Sequence, residues 1–381
     1  NEMSMKYDFA FIGAGISTTV MLMQLKKRGL LESKRVLLID SNVFSIQNKS
    51  LCFWCNPDES VYQDFNHLIE KSWRTVRKTP SDVEKLESFI YCQTSSASLV
   101  SELMQMTSFY HFDICHEFAE VFETDENGRY MEVNGEKVHA AYWFDSRPPK
   151  YDSNNEVTPL IYQSFLGLNV KLNQPHTIEL ELMDFNVPQM DATAFMYLLP
   201  LTDKKALVEY TLFSPTILAS AEYDHVLDAY MEEHYKGIGY KIQHSEIGAI
   251  PMTSKKLTSN DGAVVSIGTM GDAVKASTGY AFQFIQKQTQ QIVSQLKLNQ
   301  ALNPAVHHTR HQFYDAVLLY ILEHQKMAGD EIFARIFKKN TAATVFKFLS
   351  NTSTLLDDIK IMTSLPTQIF LPAAIKVLFR R

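Results

Sequence analysis

The chain has 381 residues, of which 45% are hydrophobic and 21% charged, so it is long enough for two or three domains and is not a disordered chain. Its net charge of -7 at pH 7 gives no support for nucleic-acid binding, which requires a basic surface. Four cysteines are too few for a disulfide framework, no apolar stretch is long enough to span a bilayer, and no secretion signal is recognisable, so we expect a reducing, cytoplasmic setting.

The first 40 residues predict a strand, a helix and a second strand. Residues 7–13 (YDFAFIG) and 35–40 (RVLLID) are typical of strands, and residues 16–29 have apolar side chains at helical spacing. Two lysines and an arginine precede Gly29, which is typical of a helix end. This order predicts a right-handed parallel βαβ unit.

The turn between the first strand and the helix predicts a dinucleotide site. Glycines in such a turn let the backbone approach a pyrophosphate at the N-terminus of a helix. Asp40, at the end of the next strand, is placed to accept hydrogen bonds from a ribose. Position 18, where a third glycine is expected, is Thr18. The residues predicted to bind the cofactor in this turn are Gly13, Ala14, Gly15, Ile16 and Ser17.

Further along the chain, βαβ-like segments alternate with a block rich in strands. A helix is predicted at 95–106, strands at 161–172, 176–185, 194–201 and 206–214, a helix at 224–235, a strand running into a glycine turn at 263–274, and helices from about 279 to the end. We therefore predict an α/β fold with a Rossmann-like dinucleotide-binding domain, an inserted β-rich substrate domain and a C-terminal helical region. The predicted boundaries are 1–75, 95–150 and 255–300 for the first, 76–94 and 151–254 for the second, and 301–381 for the third. The second glycine turn, at 268–279, favours FAD as the dinucleotide and so predicts a Rossmann-like FAD-binding domain.

A second glycine turn, "IGTMGDAVKASTGYAF", favours FAD over NAD. The pyrophosphate, ribitol and isoalloxazine of a flavin need contacts from a second part of the chain, whereas a nicotinamide dehydrogenase has no obvious use for this late motif. The segment "WFDSRPP" predicts another strand end that returns to the cofactor. The residues assigned to these contacts are Asp145, Arg147, Gly271, Asp272, Thr278 and Gly279.

The stretch "ALVEYT" places Glu209 inside a predicted strand. Alternation puts Leu207, Glu209 and Thr211 on one face and Ala206, Val208 and Tyr210 on the other. If the first face is buried, burial raises the pKa of Glu209 and the side chain is a protonated acid at neutral pH. If that face is wet, Glu209 is a solvated strand residue, and spacing alone favours this second interpretation.

Two other patterns are interpreted as structural rather than functional. Cys52 and Cys55 have dithiol spacing, but no second cysteine pair exists for zinc and no thioredoxin-like unit surrounds them, so we predict core cysteines. His307 and His311 are spaced to share a helical face, but no carboxylate or cysteine at a convincing spacing joins them, so we predict a surface helix and no metal site.

The ordered set of motifs resembles bacterial lycopene cyclases, including plant-like relatives, over nearly the whole chain. This family belongs to the superfamily of FAD-dependent hydroxylases and geranylgeranyl reductases. The motifs that carry the resemblance are "DFAFIGAGIS", "NKSLCFW", "FDSRPP", "QSFLGLNV", "LMDF", "MYLLPL", "LVEYT", "EIGAIPM" and "GDAVKASTGYAF", followed by the tail "FARIFKK", "FKFLSN" and "SLPTQIFLPA".

The resemblance implies a redox-neutral cyclisation of linear carotenoid end groups, such as lycopene to β-carotene. The family needs reduced FAD, with NAD(P)H as the electron donor, and an acid that protonates a terminal alkene. The essential glutamate of the family aligns with Glu209, and the second acid of its motif is replaced here by Tyr210. Asp184 also lies on a family motif, and Glu246 is implied as a second acid or orienting group near the flavin.

A lipophilic carotenoid substrate implies contact with a membrane surface. The C-terminal region carries Lys376, Arg380 and Arg381 among apolar residues, which is typical of a segment at an anionic lipid surface and also of an ordinary amphipathic helix. We expect a cytoplasmic protein peripherally associated with the inner membrane. The alternatives are a flavin-dependent polyprenyl reductase or hydroxylase on the same fold, and a flavin-free or inactive lipid-binding relative.

Overall fold

In the computed structural model the chain is described over residues 5–45, 49–117, 122–148, 160–254 and 263–379. The helices are α1 (Ile16–Lys27), α2 (Ser60–Phe65), α3 (Ser96–Phe109), α4 (Ser220–Tyr235), α5 (Phe282–Lys297), α6 (Thr309–Glu323), α7 (Gly329–Lys339), α8 (Ala342–Leu349), α9 (Leu355–Thr363) and α10 (Thr367–Phe379). The strands are β1 (Met5–Ile12), β2 (Arg35–Ile39), β3 (Ser50–Cys55), β4 (Lys71–Trp73), β5 (Thr75–Thr79), β6 (Asp82–Lys85), β7 (Ile90–Ser95), β8 (His111–Cys115), β9 (Glu123–Asp125), β10 (Gly128–Val133), β11 (Glu136–Asp145), β12 (Leu160–Leu172), β13 (Glu181–Asp184), β14 (Thr193–Pro200), β15 (Lys205–Ser214), β16 (Tyr240–Thr253) and β17 (Val264–Ser266).

The first sheet contains the predicted βαβ unit. Its strand order is β8-β2-β1-β11-β10-β9, with β17 beside β11. β10 pairs antiparallel with both β9 and β11, and the other neighbours pair in parallel. Ile12 pairs with both Ile39 and Asp145, and Asp145 also pairs with Ser266. The carboxyl ends of β1, β2, β11 and β17 therefore lie side by side, where open α/β sheets bind ligands. The prediction of a Rossmann-like unit is confirmed.

The second sheet has the order β16-β12-β15-β14-β13-β5-β6, and its central strands β12, β14 and β15 are covered on both faces. One face packs against α4, with Ala206, Val208 and Tyr210 in the same apolar cluster as Tyr223 and Met231. The other face packs against the C-terminal helices, through Leu207 and its neighbours. Because both faces are covered, the interpretation of Glu209 as a solvated residue on a wet face is wrong.

A third, small sheet joins the two larger ones. It has the order β3-β7-β4. The segment predicted to belong to the substrate domain, 76–94, is divided between sheets. β5 and β6 are the last two strands at one end of the second sheet, while β7 pairs with β3. The proposed domain boundaries remain a prediction.

The C-terminal helices pack on the second sheet, and the prediction of a surface helix at the histidines is wrong. His307 precedes α6 and lies against the second glycine turn, where its Nε2 donates to the Asp272 carbonyl at 2.7 Å. His311 is fully buried within α6, and its Nε2 donates to Ser353 Oγ at 2.9 Å. Burial lowers the pKa of His311 to about 4, so its imidazole is neutral at pH 7. Among the described residues, no group of three His, Cys, Asp or Glu side chains is placed to hold a metal ion.

Candidate active site

The two glycine turns meet at the carboxyl edge of the first sheet. Gly13 has φ +89°, and a Cβ on it would lie 2.4 Å from Ser146 Oγ. Gly268 has φ +65°, and a Cβ on it would lie 2.1 Å from Ser17 Oγ. Residues 13–18 and 266–272 therefore form one site, which we call the glycine-turn site. Sequence spacing did not identify Ser146 or Gly268.

The glycine-turn site has the form that an anionic phosphate group needs. Space is open where a Cβ on Gly15 would lie, and no side chain caps the N-terminus of α1. Ala14 N donates to Asp40 Oδ2 at 2.7 Å, which holds Asp40 against the turn. Thr18, fully buried, replaces the expected third glycine and donates from Oγ1 to the Gly13 carbonyl at 2.6 Å. The Thr18 hydroxyl therefore stabilises the turn through this bond, whereas a glycine would have no side chain there.

Asp145 and Arg147 lie beside this site and bind each other. Arg147 Nη2 lies 2.6 Å from Asp145 Oδ2, and the backbone N of Arg147 donates to Asp145 Oδ1 at 3.0 Å. Asp145 is buried at the end of β11. The structure thus places both residues at the predicted edge, and their contact with a cofactor stays a prediction.

The second glycine turn is held by a side chain that the sequence did not mark. Gln288 on α5 accepts from Gly268 N at 2.9 Å and donates to the Gly271 carbonyl at 2.7 Å. A Cβ on Gly271 would lie 2.3 Å from the Ser266 carbonyl oxygen. Asp272 adopts φ +61°, and its carbonyl accepts the His307 bond described above.

Thr278 and Gly279 line a cavity that also reaches Ile16 of the glycine-turn site. Gly279 has φ +71°, and a Cβ on it would lie 2.3 Å from Gln163 Oε1. Thr278 Oγ1 and Gln163 Oε1 are buried, and neither has a hydrogen-bond partner within the described ranges. Buried polar atoms are normally paired, so these two fit the polar edge of a bound ring.

The cavity has a volume of about 640 Å³ and extends from α1 to the C-terminal helices. Its walls are mainly apolar and aromatic. The residues that line it include Ile16, Lys49, Cys52, Trp54, Tyr91, Gln163, Phe165, Phe195, Tyr197, Leu207, Glu209, Phe213, Glu246, Thr278, Gly279, Tyr280, Phe313, Tyr314, Asp315, Phe348, Met362, Leu365, Phe370 and Leu371.

Glu209 lies in the wall of this cavity as a protonated acid. Thr211 Oγ1 donates to Glu209 Oε1 at 2.9 Å. Burial raises the pKa of Glu209 to about 8, and the nearby Glu246 carboxylate adds to this increase, whereas the Thr211 bond opposes it. At pH 7 the group therefore holds its proton inside an apolar enclosure.

Glu246 lies on β16, two strands from Glu209, and has better hydrogen-bond donors. Ser50 N donates to Glu246 Oε2 at 2.9 Å, and Asn169 Nδ2 donates to Oε1 at 3.4 Å. Its side chain is 5% exposed. Burial raises the pKa of Glu246, while these donors favour its ionised form.

A group of buried phenols adjoins Glu209, and no sequence pattern predicted it. Tyr91 OH lies 3.0 Å from Tyr197 OH and 3.2 Å from Tyr280 OH. Cys52 lines the same cavity, and burial raises the pKa of its thiol to about 12. Cys55 is buried, and all four cysteines are free thiols. The prediction of a plain core position is therefore right for Cys55 and incomplete for Cys52.

The structure does not bring Asp184 into the cavity wall. Tyr230 OH of α4 donates to Asp184 Oδ2 at 3.5 Å, on the opposite face of the second sheet. Tyr210 lies on that face too, and its OH donates to the Pro188 carbonyl at 2.7 Å. The replacement of the second acid by Tyr210 therefore does not alter the residues that line the cavity.

A buried ion pair lies in the helical wall of the cavity and was not found from the sequence. Lys275 is fully buried, 2.7 Å from Asp315 on α6, and donates to Asn351 Oδ1 at 2.8 Å. Asn351 Nδ2 donates to His307 Nδ1 at 2.8 Å. These contacts connect the C-terminal helices to the second glycine turn.

Solved structures share this fold. The chain is similar to a geranylgeranyl bacteriochlorophyll reductase-like protein from Thermoplasma acidophilum, with TM-score 0.56, 15% identity, and coverage of 98% of this chain and 96% of that one. It is also similar to the p-nitrophenol 4-monooxygenase of Pseudomonas putida DLL-E4, with TM-score 0.55, 9% identity and 99% coverage of both chains. A myxobacterial chondrochloren halogenase, described as an FAD-dependent halogenase, gives TM-score 0.54, 12% identity, and coverage of 99% and 97%. The fold class predicted from the sequence is confirmed.

Comparison of the sequence with known families identifies the family of this chain. The profile described as "Lycopene cyclase protein" matches residues 8–374, so the chain belongs to the lycopene cyclase family. It is 26% identical over 255 residues to the lycopene beta-cyclase of Pantoea ananas, a match that covers 65% of this chain and 63% of that protein. The resemblance stated from the motifs is confirmed.

Proposed function

We propose that the protein cyclises the end groups of a linear carotenoid, such as lycopene, without net redox change. The observation that carries this proposal is the carboxyl group of Glu209, whose pKa burial raises to about 8, in the wall of an apolar cavity that reaches Ile16 of the glycine-turn site. A polyene without polar groups fits such walls. An acid held protonated at neutral pH suits a reaction that begins by protonating an alkene.

We propose FAD as the cofactor, with NAD(P)H as the donor that reduces it. The residues that would hold FAD are those of the glycine-turn site with Asp40, together with Thr278, Gly279 and Gln163 near the isoalloxazine. When bound, the reduced flavin supplies negative charge next to a developing cation. The uncapped N-terminus of α1 and the unpaired polar atoms at Thr278 and Gln163 support this assignment.

Within this proposal Glu209 donates its proton to the terminal double bond of the substrate. The internal double bond then attacks the carbocation and closes a six-membered ring. One proton leaves the ring carbon next to the new cation and returns to the Glu209 carboxylate, which fixes the ring double bond and restores the acid. Aromatic side chains such as Tyr197 and Tyr280 line the cavity, and an aromatic ring whose face meets the carbocation stabilises it. Apolar walls exclude the water that would capture the cation.

A membrane surface is the proposed source of the substrate, with the protein on the cytoplasmic side of the inner membrane. Half of the large apolar side chains that are exposed among the described residues lie on α9 and α10. Met362 on α9 and Leu371 on α10 are 43% and 55% exposed and also line the cavity, which supports an entrance between these helices. Lys376 is exposed on α10, whereas Arg380 and Arg381 lie outside the described residues. No helix among those described has the length and apolar character needed to cross a bilayer.

The test is anaerobic incubation of lycopene-containing vesicles with FAD-loaded protein and NADPH, followed by pigment separation. Cyclic carotenoid formed with only catalytic consumption of NADPH supports the proposal. NADPH consumed in proportion to product indicates a reductase or, with oxygen admitted, a hydroxylase of the same superfamily. A colourless protein that binds no flavin indicates a lipid-binding relative. Flavin-loaded protein that yields no cyclic pigment would refute the cyclase proposal.

A further inference from the structure

Glu209 and Glu246 come from strands that do not touch each other, and Gly167 lies between them. In the second sheet Gly167 on β12 pairs with Glu209 on β15 on one side and with Glu246 on β16 on the other. Glu209 in turn pairs with Tyr197 on β14. Residues paired directly across a sheet point to the same face. We call this set, Glu246, Gly167, Glu209 and Tyr197, the carboxylate row.

The missing side chain of Gly167 leaves a gap that the two glutamates border together with Leu207. A Cβ on Gly167 would lie 3.0 Å from Leu207 Cδ1, 3.2 Å from Glu209 Oε2 and 3.2 Å from Glu246 Cγ. The two glutamate atoms are therefore no further apart than twice 3.2 Å. A larger residue at this position would place its side chain between the Glu209 carboxyl group and the Glu246 side chain.

The two carboxyl groups have unequal partners. Glu246 accepts from the Ser50 amide and from Asn169, whereas Glu209 accepts from the Thr211 hydroxyl. Two carboxylates that share a buried site do not both ionise readily, and the one with more donors ionises first. The other titratable groups near the pair are Lys49, Cys52, Tyr197 and Tyr280 in the cavity wall and the exposed His244.

We propose that Glu209 and Glu246 hold one proton between them across the gap at Gly167, with Glu246 as the ionised member whose charge keeps the proton on Glu209. Glu246 is then a positioning residue that acts through Glu209, and Gly167 sets the distance over which it acts. The destination of the proton, a carotenoid alkene, rests on the proposed function. The sharing itself rests on the carboxylate row alone.

Infrared spectroscopy of the FAD-loaded protein without substrate tests the sharing. The band of a protonated carboxyl group is followed against pH in the wild type and is assigned with Glu209→Gln. Glu246→Gln is an almost isosteric change, and its amide oxygen still accepts from the Ser50 amide. In this variant the band should disappear at a pH about one unit or more below that of the wild type, because the negative charge next to Glu209 is gone. The alkaline limb of the cyclisation rate should move down by the same amount. An unmoved band in Glu246→Gln would overturn the proposal.

Gly167→Ala tests the gap. In this background the shift caused by Glu246→Gln should shrink, because the added methyl group lies between the Glu209 carboxyl group and the Glu246 side chain. A full-sized shift in the Gly167→Ala background would refute the role of Gly167. Gly237→Ala, where a Cβ meets no atom within 4 Å, controls for a glycine-to-alanine change and should leave the shift intact. If Gly167→Ala does not fold, the Glu246→Gln measurement still decides the sharing. If Glu246→Gln shifts the band as expected but the wild type forms no cyclic carotenoid, the proposed function is refuted and the sharing of a proton by Glu209 and Glu246 still holds.

Discussion

Glu209→Gln should make the protein more stable and inactive at the same time. In an unfolded chain the Glu209 carboxyl has its ordinary pKa of 4.5, and in the fold burial raises it to about 8. Between these values the folded protein keeps a proton that the unfolded chain releases, so stability is greatest below pH 4.5 and falls as the pH rises toward 8. At about 1.4 kcal/mol per pH unit, this costs the folded state about 3 kcal/mol at pH 7.

Glutamine carries no charge and removes this cost, while its oxygen still accepts the bond from Thr211. The melting temperature of Glu209→Gln should therefore equal that of the wild type near pH 4.5 and exceed it by an increasing margin up to pH 8. Cyclisation should fall by about 10²–10⁴-fold, the usual contribution of a general acid, with FAD still bound. Glu132→Gln, at an exposed position on β10, is the matched control and should change neither quantity. A stability difference that does not vary with pH, or normal cyclisation in the mutant, would refute the assignment of Glu209 as the buried acid.

Three further changes test other parts of the site. Gly268→Ala should reduce the flavin content of the purified protein at least about tenfold, because a Cβ there meets a serine hydroxyl of α1 at 2.1 Å, whereas Gly237→Ala should retain flavin by absorbance. Leu378→Asp on α10 should reduce cosedimentation with anionic vesicles, while Val83→Asp, at an exposed site on β6, should not; equal binding by both would exclude α10 as the docking surface. Lys275→Met should lower the unfolding free energy by about 3–5 kcal/mol by leaving a buried aspartate unpaired, and an unchanged denaturation midpoint would contradict this.

The parts of the fold that local pattern determines were predicted well. The βαβ unit follows from alternating and helical apolar spacing within 35 residues, and its glycine turn lies where the sequence placed it. The strand at 206–214 also follows from alternation, and the structure gives it as Lys205–Ser214. In each case the determining contacts are close in sequence, so no knowledge of the tertiary fold is needed.

The parts that depend on long-range packing were missed. His311 has the spacing of a surface helix, but α6 is covered by the segment around Ser353, so the histidine is buried and neutral. Lys275 and Asp315 are 40 residues apart and pair through the position of the C-terminal helices. Spacing along the chain carries no information about which element covers a given face, and burial of charged groups follows from that covering.

The resemblance implied both Glu209 and Glu246 as acids, and the same limit explains why it did not pair them. Successive side chains of a strand point to opposite faces of the sheet. Glu209 and Tyr210, adjacent in "LVEYT", therefore point into different apolar clusters. A second acid at position 210 would face α4, away from the cavity. The carboxylate that does face Glu209 comes from β16, which is 37 residues further on and joins β15 only through β12. The order of strands in the sheet, rather than proximity in the sequence, therefore determines which acid lies near Glu209. Gly167, on the strand between the two glutamates, has no side chain to separate them.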